Sequence, residues 1–338
     1  MAQQQFHGAT RRAILGGAAA VLVPGSSRAQ APSRAGMRRL GVLLPFRMDD
    51  RSGQRRAAAL LEGLASHAWH EGGNLGIDWR WAGGDPALFE RYAAELVTLA
   101  PDVLVAVGSP SVLALRRLTG KIPIVFTVVT DPVGQHLVES LTRPGGNITG
   151  FSDYDPPMAG KWIEMLTQIA PPVLKATVIY NSAAASFAEL MRQPIEDAAR
   201  TFSVAVRSVS VNDDSEIEAT MSALARENGN GVIVLPDFFT FVHRETIVAS
   251  ANRYRLPAIY WHRDFVSGGG LMSYGVDNAD LVRRSADYVD RILRGARPAD
   301  LPVQNPIQFE LAINLKTAKQ LGVTIRPTLM AIADEVIE

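Results

Sequence analysis

The chain has 338 residues, 47% of them hydrophobic, with 34 basic and 34 acidic side chains and no cysteine. The missing cysteines exclude disulfides, thiol nucleophiles and cysteine-ligated metals, so stability must come from core packing. A balanced charge without basic runs argues against nucleic acid or an anionic membrane surface as partner.

Thr10, Arg11 and Arg12 precede an apolar run from Ala13 to Val23, and Ala29-Gln30-Ala31 closes the stretch. A positive start, a short apolar centre and an A-x-A-like site together read as a signal peptide over residues 1–31, cleaved after Ala31. The apolar run is too short to cross a ~30 Å hydrocarbon core. Twin arginines after a threonine, with Ile14-Leu15 behind them, fit a twin-arginine (Tat) signal, with an ordinary Sec signal as the alternative. The remaining 307 residues are therefore expected in the periplasm. They lose Arg11, Arg12 and Arg28, which leaves 31 basic against 34 acidic residues, net −3, and their length points to about two domains.

Short β-rich apolar runs then alternate with helical patterns, the signature of an α/β protein with parallel sheets. Leu40 to Leu44 reads as a buried strand and Arg51 to Glu71 as a helix with Leu60, Leu61, Leu64 and Ala68 on one face. Ile77, Trp79 and Trp81 alternate as in an edge strand. Glu90 to Leu99 is helical, and Val103 to Val107 and Ile124 to Val128 are buried strands. A Pro/Gly-rich passage from Arg143 to Pro157 separates this series from a second. There, helices over 161–169, 184–201, 216–227, 280–293 and 315–321 alternate with strands over 176–180, 204–209, 232–235, 258–261, 271–274 and 307–313.

The halves echo each other. Asp102 to Pro110 and Gly231 to Asp237 both run strand into polar loop before a helix, and Ile122 to Pro132 and Leu256 to Asp264 both run a Pro-led strand into an acidic loop. Two sequential α/β lobes are the economical reading, and such lobes bind ligands at the carboxyl ends of their strands. Facing lobes would line a cleft that hinge closure buries. Its candidate loops hold Phe46, Ser109, Thr130, Asp131, Asn181, Ser182, Asp237, Phe238, Tyr260, Trp261 and Tyr274.

No catalytic constellation is legible: G-x-S-x-G, Walker A, H-E-x-x-H and a strand–helix G-x-G-x-x-G are all missing. Gly268-Gly269-Gly270 precedes a strand and reads as a turn. His67, His70 and Glu71 have metal-like spacing but no distant third ligand, so they read as a solvated face. No metal or cofactor is expected. Ser109 and Asn181 are placed to cap helices or to present helix-start N–H groups to a carboxylate. Asp131 and Asp237 end buried strands, where a carboxylate can take a ligand ammonium or hydroxyls. Phe46, Phe238, Tyr260, Trp261 and Tyr274 gather rings suited to a planar ligand, although core packing explains any one of them.

Three runs carry a resemblance: Arg143 to Gly150, Gly268 to Gly275, and Phe309 to Lys319. Together with Ile124-Val125-Phe126, Thr130-Asp131-Pro132 and the closing Ala333 to Glu338, they make the chain from Arg38 onward similar to the ABC transporter substrate-binding proteins that include tryptophan- and tyrosine-binding members. The resemblance implies a type I periplasmic-binding-protein fold, two Rossmann-like lobes joined by a three-crossover hinge. It implies capture of a small solute, an amino acid or related polar or aromatic molecule, and delivery to ABC permease subunits in the inner membrane, with no enzymatic activity. The protein is expected to be a monomer. Crossovers near Phe151-Ser152, Ser273 to Asn278 and Leu301 to Pro306 would make lobe one residues 38–152 with 276–301, and lobe two residues 153–275 with 302–338. The loop Pro45 to Asp50 is bulkier and more charged than is common in the family, and Arg47 could meet an anionic group. The alternative function is an extracytoplasmic ligand-sensing domain that signals to a membrane receptor.

Overall fold

The computed structural model describes residues 37–170, 172–183 and 187–338. The expected signal peptide and the first residues of the helix expected from Ala184 lie outside the described residues. The first series of elements is β1 (Arg38–Leu44), α1 (Arg51–Ser66), β2 (Leu75–Trp81), α2 (Pro86–Thr98), β3 (Val103–Val107), α3 (Ser109–Leu118), β4 (Ile124–Val129) and β5 (Ile148–Ser152). Its five strands form a parallel sheet in the order β2-β1-β3-β4-β5. β3 is buried along its whole length, as expected of a strand covered on both faces. The alternating β2 is an edge strand, in agreement with its sequence pattern.

The second series is α4 (Pro156–Leu166), β6 (Ile169–Ala170), β7 (Lys175–Tyr180), α5 (Ala188–Phe202), β8 (Ala205–Ser210), α6 (Asp214–Leu224), β9 (Asn230–Val234), α7 (Phe238–Val242), α8 (Arg244–Arg253), β10 (Ala258–Tyr260), α9 (Arg263–Ser267) and β11 (Met272–Val276). The chain continues through α10 (Asn278–Leu293), β12 (Phe309–Asn314), α11 (Leu315–Leu321), β13 (Thr324–Ile325), α12 (Pro327–Met330) and β14 (Glu335–Ile337). The second sheet runs β14-β12-β11-β10-β9-β7-β8, parallel except where β12 lies antiparallel to β11. β6 and β13 make a small ribbon apart from both sheets.

Aspartates set many helix starts. Asp50, Asp85, Asp213, Asp237 and Asp277 each accept an N–H of the first turn of the helix that follows, which satisfies donors no intrahelical bond can reach. The helix expected to run from Arg51 to Glu71 stops at Ser66, because Ala68 turns left-handed with φ of 63°. The Pro/Gly-rich passage hides β5, which pairs with β4 because Gly150 lacks a side chain: a Cβ there would lie 2.0 Å from the Phe126 carbonyl oxygen.

After β11 in the second sheet, α10 packs on α1 and on β3, β4 and β5 of the first. Gly63 permits this approach, since a Cβ on it would sit 2.2 Å from the Arg283 carbonyl oxygen. The Trp69 indole N–H donates to Asp290 of α10 at 2.8 Å. The segment that then returns to β12 is tied to β5, with Ser152 N–H donating to Gln304 O and Gln304 N–H to Gly150 O. Gly63→Ala should therefore force α1 and α10 apart. The expected cost is about 1–3 kcal/mol, read as a thermal midpoint several degrees lower, whereas Gly73→Ala, in an exposed turn, should shift the midpoint far less.

Candidate ligand-binding site

The carboxyl ends of β1, β3, β4, β7 and β9 open onto a cavity of about 840 Å³ between the sheets. Phe46, Phe89 and Ser109 of the first series line it, and Phe238, Phe241 and Trp261 line it from the second. The rings interlock edge to face: Phe46 with Phe241 at 5.7 Å between centroids and Phe89 with Phe238 at 6.3 Å. Trp261 lies 5.6 Å from Phe241. Tilted and edge-to-face pairs suit the ring quadrupoles, and here they join the two lobes.

Of the residues expected at the site, Phe46, Ser109, Thr130, Asn181, Asp237, Phe238 and Trp261 line this cavity. Asp131, Ser182, Tyr260 and Tyr274 do not. Asp131 accepts the Gly134 N–H at 2.8 Å, closing its own turn. Ser182 is exposed, with its N–H on the Ser210 hydroxyl. Tyr260 alternates with Trp261, so its ring points into the core and stacks on Phe265 at 4.8 Å. Tyr274 stacks on Phe309, and its carbonyl accepts the Trp162 indole N–H. Arg47 pairs with exposed Asp49 and lines a separate outer groove.

Two further expectations change. Ser109 is the first residue of α3, whose cap is Gly108 at φ 77°, a backbone angle that favours glycine. Asn181 begins no helix: its side-chain oxygen accepts the Ala183 N–H and its amide donates to Val211 O. Asp237 holds loops together, one oxygen taking the Thr240 N–H at 2.6 Å and the other the Asn181 N–H at 3.0 Å. Burial nevertheless pushes its carboxyl up to about 6, against the pull of those hydrogen bonds.

Two charged residues in the cavity wall escaped the sequence reading. Asp153, 7% exposed, follows β5, and its Oδ1 has no hydrogen-bond partner. Burial pushes its carboxyl up to about 6, while the Thr130 hydroxyl and the charge of Arg56 pull it down. Arg56, 4% exposed, lies over the rings of Phe46 at 4.8 Å and Phe241 at 5.6 Å. It donates to Ser52 O at 3.1 Å and meets His262 Nε2 at 3.2 Å. Burial lowers its pKa, and Asp264 and Asp50 oppose this. Its signal was its position among Gly53, Ala57, Leu60 and Leu64 on the buried face of α1.

His262 belongs to a polar seam beside the cavity. There Ser52 bonds the Asp264 carboxylate, Arg55 lies 3.7 Å from Asp264, and Arg244 pairs with Asp50 at 3.2 Å. His262 Nε2 faces a guanidinium and its Nδ1 faces the Asp264 N–H at 3.2 Å. Both neighbours are donors, and a neutral ring has one acceptor nitrogen. Nδ1 accepts the Asp264 N–H at the start of α9, and the same nitrogen lies 3.5 Å from the Asp264 carboxylate. Burial pushes the ring down to about 3, Asp264 opposing and Arg56 reinforcing. Among the described residues, no group of His, Asp and Glu is arranged to hold a metal ion.

Two parallel α/β lobes with the chain passing three times between them, closed around a solute-sized cavity, define a type I periplasmic-binding-protein fold. Residues 48–337 match the family described as ABC transporter substrate binding protein, and the chain belongs to that family, whose members bind substrates and are not enzymes. A tyrosine-binding protein of Clostridioides difficile is 30% identical over 262 residues, 77% of this chain and 74% of the relative. The solved L-Trp complex of an ABC domain from Streptococcus pneumoniae is 27% identical with a TM-score of 0.81, covering 89% of this chain and 99% of the other. A conserved domain protein from Vibrio cholerae is 31% identical, also with a TM-score of 0.81 and the same coverage. No helix among the described residues is long and apolar enough to cross a membrane.

The buried imidazole carries a pH signature. Its pKa is lowered from 6.5 to about 3 in the folded protein, so the unfolded chain binds the extra proton first. The stability His262 contributes is present above pH 6.5 and is lost as the pH falls toward 3, by about 2 kcal/mol between pH 7 and pH 5. Asp153 and Asp237, whose carboxyls are raised, work in the opposite direction between pH 6 and 3.8. The difference between wild type and His262→Gln isolates the ring: the drop in thermal midpoint from pH 7 to pH 5 should be smaller in the variant.

Proposed function

We propose that this protein is the periplasmic solute-capturing component of an ABC importer and that its cleft takes a small aromatic amino acid or a close relative. One observation carries the reading: rings from both lobes, Phe46 and Phe89 on one side and Phe238, Phe241 and Trp261 on the other, surround a cavity that also contains buried charge. The printed ligands of the relatives, tyrosine and L-Trp, support the aromatic class. A planar side chain would lie among the rings, its apolar area leaving water. The first turn of α3 at Ser109, without a side-chain cap, offers N–H groups to an anionic end. Thr130, Asn181, Asp237 and Phe238 complete the wall.

In this reading, residues 1–31 form a Tat-like signal cleaved after Ala31, and the mature protein is a monomer that docks on permease subunits in the inner membrane. The moving bodies are residues 38–152 with 276–301 and residues 153–275 with 302–338. Solute stabilises their closed arrangement because rings on opposite lobes can grip it only when the lobes approach.

Thermal denaturation of the mature protein, with and without L-tryptophan, L-tyrosine and L-phenylalanine, tests the ligand class. At about 100 times Kd a ligand adds ~2.7 kcal/mol, which should raise the midpoint by several degrees, and aliphatic amino acids should give little. Phe241→Ala should weaken the response by about tenfold or more. A flat response to all three aromatic amino acids would sink the aromatic assignment. Uptake of the labelled solute by cells lacking this protein tests the importer role, with loss of uptake expected.

A further inference from the structure

Three carboxylates follow strands on the cavity side of the fold, and they differ in what they already hold. Asp131 lies outside the cavity wall and closes its own turn through the Gly134 N–H. Asp237 receives a backbone N–H on each oxygen. Asp153 and Asp237 both line the cavity and both are buried, but of the three only Asp153 keeps a buried oxygen, Oδ1, without a hydrogen-bond partner.

The groups around Asp153 do not neutralise it directly. Thr130, at the end of β4, gives it a hydroxyl. Arg56 from α1 is near enough to favour its charge, but the guanidinium donates to Ser52 and faces His262. Among the described residues no Lys, Arg or His nitrogen lies within 4.0 Å of the Asp153 carboxylate. A dry carboxylate with an unmet oxygen weakens the empty protein unless a cation comes to it. A side chain kept at such a cost has the character of a binding group rather than of a structural one.

We propose that Asp153 is the counter-charge for an ammonium group of the solute, with Thr130 beside it, so that the cleft selects aromatic solutes bearing a primary amine over those bearing a carboxylate alone. The inference rests on the reading that this cleft captures a small aromatic solute. An ammonium carries three donors and no acceptor, and it can meet both the free oxygen of Asp153 and the Thr130 hydroxyl. The carboxyl of the empty protein, raised to about 6 by burial, is the state such a cation would relieve.

The test is calorimetric titration of wild type, Asp153→Asn and Asp131→Asn with three indoles: L-tryptophan, tryptamine (amine only) and indole-3-propionate (carboxylate only). Wild type should bind the two amines and hold indole-3-propionate far more weakly. Asp153→Asn should lose about 10- to 100-fold in affinity for both amines, the weight of a hydrogen bond to a charged group, with little change for the acid, and Asp131→Asn should match wild type. The thermal midpoint of free Asp153→Asn should equal or exceed that of wild type, because the variant no longer buries a charge. Undiminished amine binding by Asp153→Asn, or an equal loss for amine and acid, would overturn the assignment. A fall in its free midpoint would also overturn it, by showing a structural role. If wild type binds none of the three indoles, the aromatic reading fails by itself. Asp153 is then still judged by the free midpoint, where a rise supports the assignment and a fall refutes it.

Discussion

A guanidinium with almost no access to water stands where the two lobes meet. Arg56 leaves the buried face of α1, lies across one ring from each lobe, and meets His262 from the far side. It borders both the solute cavity and the polar seam, so the geometry of one cannot change without disturbing the other. Burying such a cation is unfavourable unless its donors are occupied and counter-charge lies near. Here Ser52 O takes one donor and His262 Nε2 lies 3.2 Å from another, the Nε–H stays without a partner, and Asp264 and Asp50 supply the charge. His262 stays neutral chiefly because burial disfavours its charged form, and the nearby guanidinium reinforces this.

Rings and charges divide the work of the cleft. Edge-to-face contacts such as Phe46 with Phe241 are weakly directional and tolerate small shifts. The seam from Asp50 and Ser52 to Arg244 and Asp264 is directional, since a charged hydrogen bond loses most of its value when misaligned. In the proposed reading the apolar part supplies affinity for a flat solute, and the polar part specifies one relative placement of the lobes.

Much of the fold was legible because a covered parallel sheet needs continuous apolar strands and amphipathic helices, and runs such as Val103 to Val107 and Asp280 to Leu293 show both plainly. β5 was not, because its sequence is Pro/Gly-rich and its pairing depends on the empty space at Gly150, a tertiary fact. Missing that strand concealed Asp153, whose position has meaning only as a strand end. Strand-end reasoning located the loops of Phe46, Thr130 and Asp237 but could not tell which way a side chain turns. Tyr260 and Trp261 are neighbours on opposite faces, and of Asp131 and Asp153 only the second is buried in the cavity wall. Arg56 went unread because a cation on an apolar helix face makes sense only with its partners, Ser52 nearby and His262 far along the chain.

The placement of α10 also governs the order of events in folding. This helix follows β11 of the second sheet yet covers β3, β4 and β5 of the first. The first sheet cannot bury that face until residues beyond Asn278 exist, and at ribosomal speed the interval after Ser152 is on the order of ten seconds. During synthesis the amino-terminal strands wait, with apolar surface open to solvent, for a helix encoded near the other end. The first lobe is therefore not an autonomous folding unit, and its completion is long-range and slow. A nascent chain of this design depends on whatever shields it during that interval.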